Sequence, residues 1–289
     1  MRSQVRASLI AVVVATITAC GSGAPQADGP TPPAGPTLSQ GPDPNAKAIR
    51  EFDFSTAKWF DTPRDESVTL DGSKPVGTID RGQYSLGDKP IVYGDVDADG
   101  FEDAMANLTR IEGNGLSQIW YVWLWDADKE TAVQVLDPIA ETARCATVVT
   151  KVTPVEGAFR VSEKRLDLAD IGACSETPPH DVTRTVSIVD GRPVQAEGYG
   201  GYGGNCPQPG VGDADAYLLE DTRLFTGPDD STTEVTGEDI YSYYGLPLGA
   251  SSRLNSDDWV LVGFGPNEDS ATFDEYGPYI PCAWAQKTG

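Results

Sequence analysis

The residues of this sequence whose types and spacing could do chemistry lie in one acidic stretch, Asp95-Val96-Asp97-Ala98-Asp99-Gly100-Phe101-Glu102-Asp103. Acids occupy positions 1, 3, 5 and 9 of this loop, and a glycine occupies position 6. Hard cations such as Ca2+ take about six to eight oxygen ligands, which alternate residues of a tight loop can direct to one point. Gly100 permits the sharp turn. The spacing therefore predicts a Ca2+ site whose ligands are Asp95, Asp97, Asp99, the Phe101 carbonyl oxygen and Asp103.

A metal-free interpretation of the same loop remains open, as an acidic turn held by backbone hydrogen bonds. The loop differs from an EF-hand because position 12 is Ala106 instead of glutamate and because its flanks look like strands. With Tyr93-Gly94 before it and Ala104 to Leu108 after it, the loop resembles the calcium loop of FG-GAP or integrin-type propeller repeats. That resemblance implies a structural calcium ion between two strands. A single copy is visible, so the resemblance is carried over to the local hairpin and not to a propeller fold.

The elements that must position this loop are short strands separated by turns. Residues 102–109 alternate, with Ala104, Ala106 and Leu108 on one face. Residues 119–125 are the most apolar stretch of the folded part, and their aromatic content favours a central strand. The expected exception is a short helix from Thr236 through Tyr244, because an acid follows Thr236 three residues later as in a capping box. The predicted fold is mostly β, an antiparallel sheet or sandwich domain followed by a smaller β-rich or α+β disulfide-tied unit.

The aromatic strand raises a question about binding. Tyr121, Trp123 and Trp125 share one face of residues 119–125, and apolar side chains also fill the other face. Either the sheet is covered on both sides, or Tyr121, Trp123 and Trp125 are presented to a partner such as a sugar or a protein. The sequence leaves both options open.

The N-terminus has the plan of a secretory signal. A short start with Arg2 and Arg6 precedes an apolar run, residues 9–17, which is shorter than the roughly 20 residues that span a bilayer. The run ends in Ile17-Thr18-Ala19-Cys20, which resembles a bacterial lipobox. The resemblance implies that Cys20 becomes the first mature residue and carries the acyl chains that anchor it in the membrane. The alternative is an ordinary secretion signal that leaves a free thiol.

Composition describes the surface and the segment after the lipobox. The chain has 44 acids against 21 Lys plus Arg, which gives a net charge of −23. This negative charge argues against nucleic-acid binding, because it repels phosphate groups, and it suits basic proteins or cations as partners. Residues 21–46 are rich in Pro and Gly and predict a disordered tether. Lipobox, tether and composition together resemble an actinobacterial cell-envelope lipoprotein. The expected partners are therefore the membrane and a basic protein or envelope component.

The cysteines and the glycines divide the chain. With Cys20 acylated, four cysteines remain, and in an exported protein they predict two disulfides with three possible connectivities. Cys145–Cys174 and Cys206–Cys282 are favoured because each bond stays within one predicted unit. The predicted organisation is a signal peptide (1–19), the acylated cysteine and tether (20–48), an antiparallel β domain (49–197), a Gly/Tyr linker (198–205) and a small C-terminal domain (206–289).

Catalytic patterns are weak. The single histidine, His180, follows two prolines and is expected to be exposed, and no nucleophile motif is present. A carboxylate-dependent hydrolase of the cell envelope, similar to a glycosidase, remains an alternative because many acid pairs are available. A purely structural envelope protein is a further alternative. The sequence favours a non-enzymatic binding module with a structural calcium loop, at the extracytoplasmic face of the cell membrane.

Overall fold

The computed structural model describes residues 45–72, 74–143, 147–165, 177–197, 204, 206, 217–218, 222–235, 243–247, 258–266 and 282–286. The predicted signal peptide, Cys20 and the tether up to residue 44 lie outside the described residues, as do Cys145 and Cys174. Within the described ranges, no helix is both long enough and apolar enough to cross a membrane.

Strands dominate the described residues. Two short 3-10 turns, Ala48–Glu51 and Thr62–Arg64, accompany them. The first nine strands are β1 (Lys58–Asp61), β2 (Glu66–Thr69), β3 (Val76–Thr78), β4 (Gly82–Leu86), β5 (Val92–Gly94), β6 (Asp103–Glu112), β7 (Gly115–Asp126), β8 (Thr131–Gln134) and β9 (Ala140–Ala143). The others are β10 (Val148–Val155), β11 (Ala158–Arg165), β12 (His180–Val189), β13 (Arg192–Glu197), β14 (Tyr217–Leu218), β15 (Leu224–Phe225), β16 (Tyr243–Pro247), β17 (Trp259–Pro266) and β18 (Cys282–Gln286). Every described pairing between these strands is antiparallel, which confirms the predicted fold class.

The β6–β7 hairpin is the centre of a seven-stranded sheet. The sheet has the order β3-β4-β6-β7-β8, with β5 also pairing with β6 and β9 also pairing with β7. Register runs from Ala104 opposite Trp123 to Glu112 opposite Gly115. Gly113, with φ +56°, begins the two-residue turn, where a glycine matches the twist of a hairpin. Residues 119–125 therefore lie in a central strand, as predicted.

One face of this sheet forms the first core with the N-terminal segment and the two-stranded sheet β1–β2. Ile49, Phe54 and Trp59 are almost completely buried there. The side chain of Gln134 joins the two sheets: its Oε1 accepts from the Phe60 N–H at 2.7 Å, and its Nε2 donates to the Phe60 carbonyl at 2.9 Å. The amide thus takes the place of a neighbouring strand along β1.

The opposite face forms the second core with the four-stranded sheet β10-β11-β12-β13. Met105 and Val122 contribute from the central hairpin, and Phe159, Val161 and Val186 from the four-stranded sheet. A buried ion pair lies in this sheet, where Arg184 Nε donates to Glu163 Oε1 at 2.8 Å and both side chains are 1% exposed. Arg184 also donates to the carbonyl of Ile139, next to β9. The ion pair therefore links the four-stranded sheet to the seven-stranded one.

The C-terminal part forms its own five-stranded sheet in the order β14-β16-β17-β18-β15. The predicted Cys206–Cys282 disulfide is present, with a Cα–Cα distance of 5.7 Å. The predicted helix through Tyr244 is wrong at its end, because Tyr243 and Tyr244 lie in β16 and pair with Pro266 and Gly265 of β17. Cross-strand pairing suits tyrosine, and here it overrides the capping signal. The start of that predicted helix lies outside the described residues.

Candidate functional site

The acidic loop connects β5 to β6 in a hairpin, as its resemblance to a strand–loop–strand calcium loop implied. Two residues of the loop have positive φ, Ala98 at 62° and Gly100 at 93°. These turns bring the side chains of Asp95, Asp97 and Asp99 together, so that one carboxylate oxygen from each lies within 4.8 Å of the others. Three of the four predicted acidic ligands therefore converge.

Backbone N–H groups fix the three carboxylates. The Gly100 N–H donates to Asp95 Oδ2 at 3.1 Å, the Asp99 N–H to Asp97 Oδ1 at 3.3 Å and the Phe101 N–H to Asp99 Oδ1 at 2.8 Å. The other oxygen of Asp95, Oδ1, is buried and has no hydrogen-bond partner in the protein. Partial burial and the charges of Asp99 and Asp95 raise the pKa of Asp97 above its ordinary value. The loop thus concentrates negative charge that a cation would neutralise.

Asp103, the fourth predicted acid, does not belong to the convergent group. Its side chain is completely buried, and both of its oxygens accept backbone hydrogen bonds, from Val96 N–H at 2.9 Å and from Trp125 N–H at 3.0 Å. Burial raises the pKa of Asp103 to about 7, although the two N–H groups act in the opposite direction. Asp103 therefore fixes the start of the loop to the end of β7.

The other end of the acidic loop, at Glu102, is fixed to the N-terminal segment. Glu102 receives two hydrogen bonds from the guanidinium of Arg50, one of them at 3.0 Å, and its backbone N–H donates to the Ala46 carbonyl at 2.6 Å. The guanidinium of Arg50 also lies 4.7 Å from the ring centroid of Tyr93 in β5. The convergent carboxylates are thus held on a loop that is supported at both ends.

The aromatic face of β7 is packed into the first core. Tyr121 is 0% exposed, Trp123 is 3% exposed and Trp125 is half-buried. The Trp123 ring centroid lies 4.9 Å from that of Trp59 and 5.6 Å from that of Phe54, both in edge-to-face contact. Of the two options that the sequence left open, this burial favours a sheet covered on both sides, since a partner cannot reach Tyr121 or Trp123.

A surface that sequence reasoning missed lies between β8 and the β12–β13 turn. It is a hollow of about 260 Å³, and its lining is Leu124, Val133, Gln134, Val135, Leu136, Asp137, Asp190, Gly191 and Arg192. Val133 and Leu136 are each 46% exposed, and Val189 at the end of β12 is 45% exposed. These are three of the five large hydrophobic side chains exposed among the described residues. The apolar residues 133, 135 and 136 were visible in the sequence, but nothing there indicated which would be exposed.

Two acids, Asp61 and Glu66, are linked through the hydroxyl of Tyr84. Tyr84 Oη lies 2.9 Å from Asp61 Oδ2 and also contacts Glu66, while Arg110 pairs with Asp61 at 2.7 Å. Asp61 is 0% exposed, so a substrate cannot reach both acids, as a carboxylate-pair hydrolase requires. His180 is exposed at the start of β12, as predicted.

No family model, no curated protein and no solved structure matches this chain.

Proposed function

We propose that this protein is a lipid-anchored, extracytoplasmic binding module, without enzymatic activity, whose loop from Asp95 to Asp103 holds a structural Ca2+ ion. The observation that carries the calcium proposal is the convergence of one carboxylate oxygen each from Asp95, Asp97 and Asp99 within 4.8 Å. Oxygen-only donors of this charge suit Ca2+ better than softer metals.

The ion would be held by those three carboxylates, with the Phe101 carbonyl and water as further oxygen ligands. It would supply positive charge where the three acids repel one another, and it would stiffen the β5–β6 connection. Asp103 would act as support, since both of its oxygens already accept backbone N–H groups. A structural role fits a loop whose two ends are already fixed to β7 and to the N-terminal segment.

A thermal melt tests the calcium proposal. If the dissociation constant is that of a typical extracellular module, Ca2+ at about tenfold excess over it stabilises the fold by about 1.4 kcal/mol. The melting temperature of a domain of this size should then rise by about 3 to 6 °C. The Asp97→Asn variant should lose that rise, and an equal rise in the variant and the wild-type protein would contradict the proposal.

The proposed location at the membrane rests on the lipobox-like residues Ile17 to Cys20 and on the Pro/Gly-rich segment that follows. Acyl chains on Cys20 would hold the folded part on the membrane surface, since two or more chains anchor a protein stably. Cys20→Ala should release the protein into the medium, whereas a variant that stays in the membrane fraction would speak against acylation.

The proposed contact surface is the hollow beside β8. The exposed aliphatic side chains of Val133 and Leu136 in its lining support this proposal. The net charge of −23 favours a basic protein, because it would repel nucleic acid and a second copy of this chain. The partner would therefore insert apolar side chains into the hollow, and a lysine or arginine of the partner would lie close to them.

Affinity capture from envelope extract tests this surface with a matched pair of variants. Leu136→Asp places a charge in the hollow, and Ile79→Asp places one at a similarly exposed aliphatic position in the β3–β4 turn. A basic protein retained by the wild type and by Ile79→Asp, but lost with Leu136→Asp, is the expected result. Equal retention by all three proteins would remove the hollow from the proposal.

A further inference from the structure

Two buried polar side chains occupy neighbouring positions on the face of the central hairpin that forms the second core. Asn107 in β6 and Trp120 in β7 are directly opposite in the register of the central hairpin. Asn107 is 1% exposed and Trp120 is 4% exposed. They lie on the same face as Met105 and Val122, which are both completely buried. Directly opposed residues of an antiparallel pair bring their side chains into contact range.

Three polar atoms of these side chains lack hydrogen bonds to the protein. They are Oδ1 and Nδ2 of Asn107 and Nε1 of Trp120. The indole N–H of Trp59 differs, since it donates to the Phe54 carbonyl at 3.0 Å. Buried polar groups in folded proteins are nearly always hydrogen-bonded, and where the protein provides no partner an ordered water usually does.

The backbone next to Asn107 leaves space for its amide. Gly87, which follows β4, donates its N–H to the Asn107 carbonyl at 2.8 Å. A Cβ atom at position 87 would lie 1.7 Å from Asn107 Oδ1, so only glycine permits this position of the side chain. The amide of Asn107 therefore occupies space that a side chain at position 87 would fill.

The chemistry of the three atoms limits what could satisfy them. Two are N–H donors and one is an acceptor, so an apolar guest would leave all of them unpaired. Both side chains are neutral, so a buried ion would find no compensating charge. A neutral molecule that both accepts and donates hydrogen bonds, within a closely packed core, is a water molecule.

We propose that Asn107 and Trp120 bind one internal water molecule that is part of the folded structure. The water accepts a hydrogen bond from the indole N–H of Trp120 and donates one to Oδ1 of Asn107. Such waters usually make about three hydrogen bonds and remain bound far longer than surface waters. This site is independent of the calcium loop and of the hollow.

Water–protein NOE and ROE spectra of the 15N-labelled chain test the proposal. The Trp120 indole proton, assigned with Trp120→Phe, should show cross-peaks to water with the opposite NOE and ROE signs of a long-lived contact. The Trp59 indole proton is the matched control and should show none, because it donates to a carbonyl. Absence of the cross-peak at Trp120, or an equal one at Trp59, would overturn the proposal.

A second measurement isolates Asn107. The Asn107→Leu variant removes the amide while keeping a side chain of similar size, and the Trp120 cross-peak to water should disappear. Persistence of that cross-peak with an unchanged sign would show that Asn107 does not hold the water. If the variant does not fold, the wild-type spectrum alone decides for or against the site.

Discussion

The buried ion pair between Arg184 and Glu163 offers the sharpest perturbation of the fold. We expect Arg184→Met to destabilise the protein strongly, because methionine keeps much of the volume but removes the charge. The buried carboxylate of Glu163 would then have Arg165 as its remaining cationic partner, at 2.5 Å, and the side chain of Arg165 is 33% exposed. The contact of Arg184 with the Ile139 carbonyl, which joins the two large sheets, would also be lost.

The size of the effect follows from the geometry. At 2.8 Å and an effective dielectric constant of about 20, the attraction between the two charges is about 6 kcal/mol. Desolvation offsets much of this attraction in the intact pair, but removal of one partner leaves the other charge buried, which typically costs about 3 to 5 kcal/mol. Because Arg165 remains, we expect a loss near the lower end, about 3 kcal/mol.

Urea unfolding at neutral pH measures this loss, and Arg223→Met is the matched control. Arg223 pairs with Glu234 at 2.8 Å on the surface, with the two side chains 62% and 37% exposed, so its removal should cost less than about 1 kcal/mol. Equal losses in the two variants would refute the reasoning. The double variant Glu163→Leu with Arg184→Met should regain most of the stability, because a paired apolar replacement leaves no unpaired charge.

The pH dependence of stability provides a second readout of the same pair. Burial alone would raise the pKa of Glu163, but the charges of Arg184 and Arg165 outweigh it and hold the pKa below its ordinary value. A carboxyl group whose pKa is lowered by folding stabilises the protein above its unfolded pKa of about 4.3, and this contribution is lost as pH falls through the folded pKa. The difference in stability between the wild type and Arg184→Met should therefore shrink in acid.

Three further predictions concern other parts of the chain. Gly87→Ala should lower the urea midpoint by the equivalent of about 1 to 3 kcal/mol, because the new Cβ would collide with Asn107 Oδ1. The control Gly115→Ala, whose Cβ would lie 3.2 Å from the Glu112 carbonyl, should cost less, and equal midpoints for the two variants would contradict this. Replacing Cys206 and Cys282 by serine opens a loop of sequence separation 76 and should cost about 4 to 5 kcal/mol by chain entropy, so a loss below about 1 kcal/mol in denaturant titrations would be inconsistent with it. Asp103→Asn replaces one of two acceptor oxygens by a donor and should cost about 1 to 3 kcal/mol in thermal melts, and an unchanged melting temperature would show that the two backbone hydrogen bonds are dispensable.

Much of the fold could be predicted because local pattern and tertiary packing agree. The alternation of residues 102–109 placed Ala104, Ala106 and Leu108 on one face, and these residues are together in the first core. The apolar side chains on both faces of residues 119–125 are typical of a central strand, which is where β7 lies. The turn between β12 and β13 also agrees with its local sequence, because Asp190 and Gly191 both have positive φ and Asp-Gly is a dipeptide that accepts it.

The parts that could not be predicted depend on contacts between residues far apart in sequence. No local pattern distinguishes Asp103, which binds two backbone N–H groups, from the acids that converge four to eight residues before it. The side chain of Gln134 pairs with the backbone of Phe60 across a separation of 74 residues. The hollow beside β8 arises only when the β12–β13 turn lies against it, so its residues carry no signal of their own.

Isothermal titration calorimetry with Ca2+ tests the central claim most directly. The chain without residues 1–20, freed of metal by a chelator, should bind one Ca2+ ion with a dissociation constant of about 10⁻⁴ to 10⁻³ M, as extracellular modules do. The variant Asp95→Asn with Asp97→Asn should give no heat of binding while unfolding at a temperature close to that of the metal-free wild type. Absence of heat and of any thermal shift for the wild type at millimolar calcium would contradict the proposed calcium loop.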